Sequence, residues 1–394
     1  MFERYQSPPP DVIVELMQAY RADPRPGKID LGIGVYKNDQ GQTPVMRAVK
    51  QAEQCYIGIE ASKAYLGLGG DGQFVDLIAD LVLGEAAKSG NLAGIQTVGG
   101  GAAVRLLADM LARNDGMGEI WIPSPTWINH LPIARAAGLK VREYNYYDPD
   151  TGTVAFERMI ADLSAAKAGD VVLLHGCCHN PTGADLSPQQ WADLGALILS
   201  RGLLPFVDMA YQGFGDGLEA DAAGIRKLAT MVPEMVISVS CSKNFGVYRD
   251  RAGAALILSE NAEGTAKAKA VLLAAGRVNY SFPPNHAAAS IALLLSDPAL
   301  TDDWKAELDE MRVRLQNNRR ILAEALRAAT NSDRFDCITG HKGMFSLLGL
   351  GLDRVLRLRE EAAIFMPPDG RMNIAAINVG QLDVIAGGIA AVLR

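Results

Sequence analysis

From about residue 97 onward, the chain alternates short apolar runs with amphipathic segments. TVGG precedes AAVRLLADMLAR, DVVLLHG precedes PQQWADLGALILSRG, and LLPFVDMA precedes the segment from Asp221 to Met231. Apolar runs of about four to eight residues separated by helix-period segments predict βαβ units in a mainly parallel sheet that is covered on both faces. Ligands of such sheets bind at the carboxyl ends of the strands. Residues that directly follow an apolar run are therefore the first candidates for a site.

The length of the chain, 394 residues, indicates two domains. The stretch from Thr301 to Thr330 predicts a long helix that leads into a second region of about 65 residues. That region is small for an independent fold, and we expect the N-terminal segment to pack with it. We predict a large domain over residues 44–309 and a small domain formed by residues 1–43 and 310–394.

The overall charge argues against two classes of partner. The formal net charge is −7 and the sequence pI is about 5.4, so the chain has no long-range attraction for nucleic acid or anionic membranes. No stretch reaches the roughly 18 uninterrupted apolar residues of a spanning helix, and MFERYQSPPPDVIVELM does not resemble a secretory signal. Five scattered cysteines indicate buried thiols in a reducing compartment. We expect a cytoplasmic protein.

In the segment SVSCSKNFGVYRDR an apolar run ends at Val239, and a lysine follows in a polar turn of small residues. A lysine held in a pocket can form a Schiff base with a carbonyl cofactor, and Lys243 is the candidate. Ser240 and Arg251 flank it with a hydroxyl and a guanidinium, both suited to a phosphate. Taken alone the pattern is weak, because most lysines that follow strands are solvated.

The segment LLPFVDMAYQGFG ends an apolar run on a carboxylate. A carboxylate inside a ligand crevice is costly unless it meets a cation, and the protonated ring nitrogen of a heteroaromatic cofactor would be that cation for Asp208. Tyr211 would then donate a hydrogen bond to a phenolic oxygen of the same ring. The alternative is that Asp208 caps the N-terminus of a helix.

The segment VVLLHGCCHNPTG also runs from a strand into a turn. Asn180 precedes a proline, which favours an extended backbone and directs its amide outward as a second donor to the phenolic oxygen. The group His175, Cys177, Cys178 and His179 resembles a metal cluster, but zinc spacing is absent, and we expect adjacent cysteines at a strand end to point to opposite sides. We predict packed small residues beneath a cofactor and no metal.

Three glycines in TVGGGAAVRLLADML lie between a strand and a helix. Exposed backbone N–H groups at a helix N-terminus bind anions, and without a G-x-G-x-x-G pattern a single phosphate fits better than a dinucleotide. Trp127 follows the strand EIWIP and can stack on a flat ring, although an interior tryptophan is commoner. His130 lies three residues on, where it can orient Asp208.

Two arginines complete the set of candidates. Arg371, at the start of a strand in DGRMNIAAI, can hold a carboxylate with two hydrogen bonds. Arg277 lies just before the aromatic-rich turn Tyr280-Ser281-Phe282. For any single arginine, exposure on the surface without a specific role is the commoner outcome.

Taken together these segments, with DLGIGVYKN, SKAYLGLGG and HGCCHNPTG, resemble the aspartate and aromatic aminotransferases of the class I family. The similarity runs nearly from end to end, from about Pro9 to the last helix. It implies a fold-type I pyridoxal 5'-phosphate enzyme, with a large domain built on a mainly parallel seven-stranded sheet, a smaller α/β domain, and active sites shared across a homodimer.

The resemblance also implies a role for each candidate. Lys243 would carry the cofactor, Asp208 would face the ring nitrogen, and Asn180 and Tyr211 would hold the phenolic oxygen, with Trp127 against the ring. The phosphate would be surrounded by Gly100, Gly101, Ser240, Arg251 and, from the neighbouring subunit, Tyr65. The substrate α-carboxylate would bind Arg371, with Gly34, Asn180 and Trp127 beside it, and Arg277 of the neighbour would take a distal carboxylate. Gly101 departs from the family pattern, because many relatives carry a threonine there whose hydroxyl contacts the phosphate.

The substrates implied are amino acids and 2-oxo acids, with 2-oxoglutarate as the acceptor. Phe282 stands where aspartate-specific relatives tend to carry a polar residue, and this favours an enzyme for aromatic amino acids that also accepts acidic ones. A mainly aspartate-specific aminotransferase is the alternative. A lyase or decarboxylase on the same scaffold needs no Arg277, and a regulatory module of a transcription factor would call for a basic DNA-binding domain that this acidic chain lacks.

Overall fold

The computed structural model describes residues 2–7 and 10–394; Met1, Pro8 and Pro9, and thus the predicted start of the family resemblance, lie outside the described residues. The strands in chain order are β1 (Ile29–Asp30), β2 (Leu92–Val98), β3 (Ile120–Ser124), β4 (Val141–Asn145), β5 (Tyr147–Asp148), β6 (Thr153–Val154), β7 (Val171–His175), β8 (Leu204–Met209), β9 (Met235–Ser240), β10 (Ala252–Leu258), β11 (Phe345–Leu347), β12 (Ile364–Phe365) and β13 (Arg371–Asn373).

The α-helices in chain order are α1 (Val12–Ala22), α2 (Arg47–Ile59), α3 (Gly72–Leu83), α4 (Gly99–Leu111), α5 (His130–Ala136), α6 (Phe156–Leu163), α7 (Pro188–Arg201), α8 (Leu218–Ala229), α9 (Ala262–Asn279), α10 (His286–Ser296), α11 (Pro298–Thr330), α12 (Leu352–Ala362) and α13 (Leu382–Leu393). Short 3₁₀ turns span Phe2–Arg4, Gly84–Lys88, Asp336–Gly340, Ile374–Ala376 and Val379–Gln381. Within the part of the chain that the structure describes, no helix is both long and apolar enough to cross a membrane.

The centre of the fold is a seven-stranded sheet in the order β2-β10-β9-β8-β7-β3-β4. The strands from β9 to β4 run parallel to one another, and β10 is antiparallel to both of its neighbours, β2 and β9. The predicted mainly parallel sheet of seven strands is therefore confirmed. Because β7, β8 and β9 are parallel, their carboxyl ends meet at one edge, and the segments that the sequence singled out follow these ends.

The central strands are mainly apolar and buried along nearly their whole length because helices cover both faces of the sheet. Every residue of β7, β9 and β10 is buried. Successive residues of β7 belong to different apolar cores: Val171 and Leu173 pack with α4 and α9, whereas Val172 and Leu174 pack with residues from helices that include α3, α7 and α8. A strand buried on one face only would instead alternate apolar and polar residues.

Local sequence signals determine where several helices begin. Pro188 opens α7 behind a capping box, in which Ser187 Oγ accepts from the Gln190 backbone N–H and the Gln190 side chain accepts from the Ser187 N–H. The long helix was predicted to start at Thr301, but α11 starts at Pro298 because the Asp297 carboxylate caps it.

Among the described residues, three two-stranded sheets lie outside the central one, and one of them pairs β5 with β6 antiparallel. The strand β1 near the N-terminus pairs in parallel with β12 near the C-terminus, and β11 pairs antiparallel with β13. The second pairing sets Leu347 opposite Arg371 and Phe345 opposite Asn373. These contacts bring the N-terminal segment and the C-terminal region together, and they place Arg371 near the carboxyl edge of the central sheet, where its side chain reaches Asn180.

Candidate active site

A cavity of about 220 Å³ lies at the carboxyl ends of β7, β8 and β9, next to the N-terminus of α4. It has the position that open α/β sheets give to ligand sites. The residues that line the cavity are Gly100, Gly101, Trp127, Asn129, His175, Asn180, Asp208, Ala210, Tyr211, Ser240, Ser242, Lys243 and Arg251. Nine of the predicted cofactor residues are therefore gathered by the fold, from segments that lie up to about 150 positions apart in the chain.

Lys243 lies in the turn after β9 with its amine largely shielded from solvent. Burial, together with the charges of Arg251 and Arg371 and against an opposing effect from Asp208, lowers the pKa of Lys243 to about 8. The amine lies 5.2 Å from the centre of the Tyr211 ring. An amine with this pKa is partly unprotonated at neutral pH, which a nucleophile or a general base requires.

Asp208 lies within β8 and does not cap a helix, because the next helix, α8, begins only at Leu218. The alternative of a helix cap is therefore wrong. Ser238 Oγ on the neighbouring strand donates to Asp208 Oδ1 at 2.7 Å, and His130 Nε2 lies 3.1 Å from Oδ2. Burial would raise the pKa of Asp208, but these hydrogen bonds and the nearby imidazoles outweigh burial and lower it. The group is a buried carboxylate that remains ionised at neutral pH.

The sequence pattern placed the three glycines between a strand and a helix. In the structure they form the first turn of α4. A Cβ on Gly100 would lie 2.6 Å from Ser240 Cβ, so only glycine lets this helix end approach β9 so closely. Arg251 donates to Ser242 Oγ at 3.2 Å and to the Tyr248 carbonyl oxygen at 2.7 Å. The cavity here presents the N–H groups of the helix end, the hydroxyls of Ser240 and Ser242, and the Arg251 guanidinium. Together these groups fit a phosphate monoester.

A Cβ on Gly101 would meet Trp127 Cη2 at 3.5 Å, an ordinary contact distance. Position 101, where glycine departs from the threonine of many relatives, therefore has room for a side chain beside Trp127. Trp127 lines the cavity, and its ring packs edge-on against His130 with centroids 5.1 Å apart. Thr126 Oγ1 joins His130 to a second imidazole, at 2.7 Å from His130 Nδ1 and 3.0 Å from His175 Nε2. His130, which orients Asp208 through Nε2, is therefore itself held by Thr126 through Nδ1.

Arg371 reaches the cavity from β13. Its Nη1 donates to Asn180 Oδ1 at 3.1 Å and its Nη2 donates to the Gly32 carbonyl oxygen at 3.2 Å. Arg371 Nε is buried and has no hydrogen-bond partner among residues 2–7 and 10–394. A buried donor without a partner is costly, and a carboxylate ligand would satisfy it. Gly34, the other predicted neighbour of the carboxylate, packs against Phe345, whose ring lies 4.4 Å from the Arg371 guanidinium.

The cysteine pair differs from the prediction. Strand β7 ends at His175, and Cys178 has a φ of 51°, so the two cysteines lie in a turn and do not alternate across a strand. Their sulfur atoms and a carboxylate oxygen of Asp221 lie within 4.8 Å of one another. The expectation that the thiols point to opposite sides is wrong. The Asp221 carboxylate accepts the backbone N–H groups of Gly213, Gly215 and Asp216, which gives it a role in holding that turn.

Tyr65 and Arg277 do not line the cavity of their own chain. Both are exposed, Tyr65 by 81%. The Tyr65 ring stacks on Phe282 with centroids 4.4 Å apart, and the Arg277 guanidinium lies 5.3 Å from the centre of the same ring. We call Tyr65, Arg277 and Phe282 the Phe282 cluster.

Sequence reasoning missed three residues that line the cavity: Asn129, Ala210 and Ser242. Each is next to or near a predicted residue, since Ser242 precedes Lys243 and Asn129 lies two positions after Trp127. The spacing Ser240-x-Ser242 before a lysine is a usable signal for a second hydroxyl at an anion site. His175 was interpreted as packing beneath the cofactor, and it does line the cavity.

An ionised buried carboxylate, an amine of lowered pKa and an anion-binding helix end in one cavity define an enzyme site suited to a carbonyl cofactor that carries a phosphate. The sequence matches the family described as aminotransferase class I and II over residues 26–389. It is 46% identical over 380 residues to the aromatic-amino-acid aminotransferase of Paracoccus denitrificans, covering 96% of each chain. It is 43% identical over 396 residues to the aspartate aminotransferase of Salmonella typhi, covering 100% of each.

The fold is also similar to that of a solved structure. The aromatic-amino-acid aminotransferase of Burkholderia pseudomallei, covalently bound to pyridoxal phosphate, superposes with a TM-score of 0.96 at 39% identity, and the match covers 100% of both chains. The chain belongs to the class I and II aminotransferase family, and it is an aminotransferase. The predicted family, fold class and enzyme class are confirmed.

Proposed function

We propose that this aminotransferase moves an amino group between an aromatic L-amino acid and 2-oxoglutarate, and that it also accepts acidic amino acids. The cofactor is pyridoxal 5'-phosphate, which the residues of the cavity fit. The observation that carries the preference for aromatic substrates is a second cavity of about 230 Å³, which adjoins Asn180 and Arg371. Its apolar lining is formed by Val12, Ile13, Ile128, Pro181, Pro367 and Pro368.

The apolar lining suits an aromatic ring because burying such a ring releases a large hydrophobic free energy. A substrate whose α-carboxylate binds Arg371 has its side chain within reach of this lining. Aspartate, by contrast, would place a second carboxylate near apolar side chains, and it would gain only from a cation supplied elsewhere. The relatives that this chain resembles carry the names of both substrate classes.

Several residues in and around the cavity have proposed tasks in the reaction. When bound, the cofactor would supply electron withdrawal from the substrate α-carbon. The Lys243 amine, once free, would act as the general base that takes the proton from the α-carbon and would donate it to the adjacent carbon of the cofactor. Asp208 would keep the cofactor ring nitrogen protonated, and His130 fixes the Asp208 carboxylate in place. Asn180 and Tyr211 would donate to the phenolic oxygen, and Trp127 would cover the ring.

The phosphate is held by the N–H groups at Gly100 and Gly101 with the hydroxyl of Ser240 and the guanidinium of Arg251, and by Tyr65 of a second copy of the chain. Arg371 binds the α-carboxylate with Gly34 and Asn180 beside it. Arg277 of the second copy binds the distal carboxylate of acidic substrates. The position of the Phe282 cluster outside its own cavity supports a homodimer with shared active sites.

Two further proposals concern organisation and location. We propose a large domain over residues 44–309 and a small domain over residues 1–43 and 310–394. The pairing of β1 with β12 supports the assignment of both chain ends to the small domain. The boundary at residue 309 lies inside the continuous helix α11. We also propose a cytoplasmic location. The five cysteines are all free thiols, including the adjacent pair Cys177 and Cys178.

The test is a direct comparison of substrates. The purified enzyme, loaded with pyridoxal phosphate, is assayed with phenylalanine and with aspartate, each with 2-oxoglutarate, and kcat/KM is determined for both. We expect comparable values or a preference for phenylalanine. A ratio heavily in favour of aspartate would overturn the aromatic preference and leave a mainly aspartate-specific aminotransferase. No turnover with either substrate would overturn the proposed function itself.

A further inference from the structure

Arg319 is a buried cation outside the cavity, near the middle of α11. It is 2% exposed, and its nearest partners are not carboxylates. Its guanidinium donates to the carbonyl oxygens of Lys342 at 3.0 Å, Gly343 at 2.7 Å and Phe345 at 2.8 Å, and also to Ser346 Oγ. Among the described residues it forms no salt bridge. Burying a guanidinium without a counter-charge is expensive, so this arrangement calls for a reason beyond stability.

The segment that Arg319 holds, residues 342–346, presses against the turn that carries Asn180. The Lys342 N–H donates to the Gly183 carbonyl oxygen at 2.7 Å. Gly343 has a φ of 74°, and a Cβ at this position would lie 2.4 Å from Cys178 Cβ. Because the Gly343 backbone packs directly on the Cys178 side chain and the Gly183 backbone on the carbonyl oxygens of Lys342 and Phe345, a shift of the segment is transmitted to the turn on either side of Asn180.

The other end of the same segment supports Arg371. The Phe345 ring lies 4.4 Å from the Arg371 guanidinium and packs edge-on against Tyr211 with centroids 6.0 Å apart. A Cβ on Gly34 would lie 3.3 Å from Phe345 Cζ. The three residues proposed to surround the substrate α-carboxylate, namely Gly34, Asn180 and Arg371, thus all rest on one short segment. We call these three residues the carboxylate site.

We propose that Arg319 is a positioning residue for the substrate: it fixes residues 342–346 and thereby sets the geometry of the carboxylate site. The inference rests on the proposed function, in which Arg371 binds the α-carboxylate. A guanidinium has five N–H donors in a rigid plane, and here Nη1 donates to Ser346 Oγ while the two N–H groups of Nη2 are shared among the three carbonyl oxygens. A lysine at this position would keep the charge but would lack this fork. Bidentate binding of a carboxylate depends on angles as well as distance, so a small tilt of Arg371 weakens it.

The test uses the cofactor-loaded enzyme and 3-phenylpropionate, an aromatic carboxylate without an amino group, as the probe. We expect Arg319→Lys to weaken binding of the probe about 10-fold, which corresponds to roughly one charge-assisted contact. The dissociation constant of pyridoxal phosphate should change much less than that of the probe, since Arg319 contacts none of the residues around the phosphate and the segment adjoins only Asn180 and Tyr211 among the proposed cofactor residues. A general loss of structure would weaken both ligands, so equal losses for probe and cofactor would overturn the proposal.

Arg226→Lys is the matched control. Arg226 also donates to backbone carbonyl oxygens, those of Leu81 and Val82, but it lies away from the cavity. It should lose thermal stability as Arg319→Lys does while binding the probe as the wild type does. If both variants bind the probe equally well, the inference is wrong. If the wild type itself does not bind the probe, the proposed role of Arg371 has failed instead.

A double-mutant cycle separates positioning from a direct effect. In an Arg371→Lys background the two-bond geometry is already lost, so Arg319→Lys should cause a smaller further loss of probe binding. An equal fold-loss in both backgrounds would contradict action through Arg371. Should Arg319→Lys fail to fold, Ser346→Ala removes one of the four acceptors, and we expect a smaller loss in the same direction. Wild-type binding of the probe by Ser346→Ala would then count against the proposal.

Discussion

The Lys243 cavity and the Phe282 cluster are built in opposite ways. Lys243 and Asp208 lie at the ends of buried central strands, and their partners belong to the same chain. Tyr65 and Arg277 lie on the surface, where the aromatic face of Phe282 is their main contact. The cavity gathers nine of the ten predicted cofactor residues from one chain, whereas the cluster, which includes the tenth, Tyr65, has a proposed task only against a second copy.

This difference separates two functions. Residues that carry out the chemistry need fixed distances and low exposure to water, and a sheet buried on both faces provides both. Residues that determine substrate preference need only contact the distal end of the substrate, and an exposed residue on a neighbouring chain can do this. Changes in the cavity should therefore affect every substrate, and a change at Arg277 in the cluster should affect some.

The largest effect should follow from Lys243→Ala. Without the amine, the substrate α-carbon has no base, and turnover should fall by about 10⁴-fold for phenylalanine and aspartate alike. The protein should still bind pyridoxal phosphate, without the covalent link, through the phosphate contacts. Steady-state rates and the absorbance spectrum of the cofactor measure these two effects. Lys88→Ala, at an exposed lysine that pairs with Glu85, serves as the control. A Lys243→Ala enzyme that turns over at the wild-type rate would remove the basis of the proposed mechanism.

Asp208→Asn should produce the next largest effect. Removing one partner of a buried charge pair costs about 3–5 kcal/mol, which corresponds to roughly 150- to 5,000-fold in rate. Both substrates should again lose equally, as judged from kcat at saturation.

The matched control is Asp170→Asn. Asp170 is also a buried carboxylate, and it accepts from Trp121 Nε1 and the Glu119 N–H at the opposite end of the sheet. This variant should lose stability but keep the wild-type kcat. Equal losses of kcat in both variants would mean that Asp208 acts only through the fold.

The same contrast explains what the sequence could predict. The strand ends were visible because burial on both faces demands continuous apolar runs, so Asp208 stood out at the end of one run and Lys243 in the polar turn that follows another. The sheet and the gathering of nine candidates in one cavity followed from that signal together with the family resemblance.

What the sequence did not reveal depends on contacts between distant segments. Arg319 looks like any arginine of a charged helix, and only the fold shows that residues 342–346 wrap its guanidinium. The cysteine pair was misjudged because the turn after β7 puts Cys178 in a left-handed conformation. A residue's conformation beyond a strand end is set by what packs on it, in this case Gly343, and no local pattern encodes that neighbour.

Arg277→Gln should have an effect on one substrate class only. Losing a charge-assisted contact costs about 1.5–3 kcal/mol, so kcat/KM for aspartate should fall by roughly 10–100-fold. Phenylalanine has no distal carboxylate, and its kcat/KM should change little. The ratio of the two values is the measurement. An equal loss for both substrates would place Arg277 among the residues that hold the dimer or the fold.

Mixed dimers sharpen this prediction. A chain with Lys243→Ala paired with a chain with Arg277→Gln has one site with both native residues, provided that Arg277 serves the neighbouring site. Co-expressed, differently tagged chains should then regain about half of the wild-type activity per dimer with aspartate. If Arg277 served its own chain, each site of the mixed dimer would lack one residue and no activity with aspartate would return.

The smallest effect concerns the pKa of Lys243 in the cofactor-free protein. Burial lowers this pKa to about 8, and the positive charge of Arg371 contributes in the same direction. Below pH 8 the amine is mostly protonated, so its reaction with acetic anhydride should slow as the pH falls through 8. Arg371→Gln removes a positive charge, which should raise the pKa and move the midpoint of labelling to higher pH. Arg277→Gln, in the exposed cluster, should leave the midpoint unchanged. The extent of labelling at position 243, measured by mass spectrometry across the pH range, distinguishes the two variants. A shift of the midpoint with Arg277→Gln alone would mean that the pKa of Lys243 depends on the cluster and not on the arginine of the cavity.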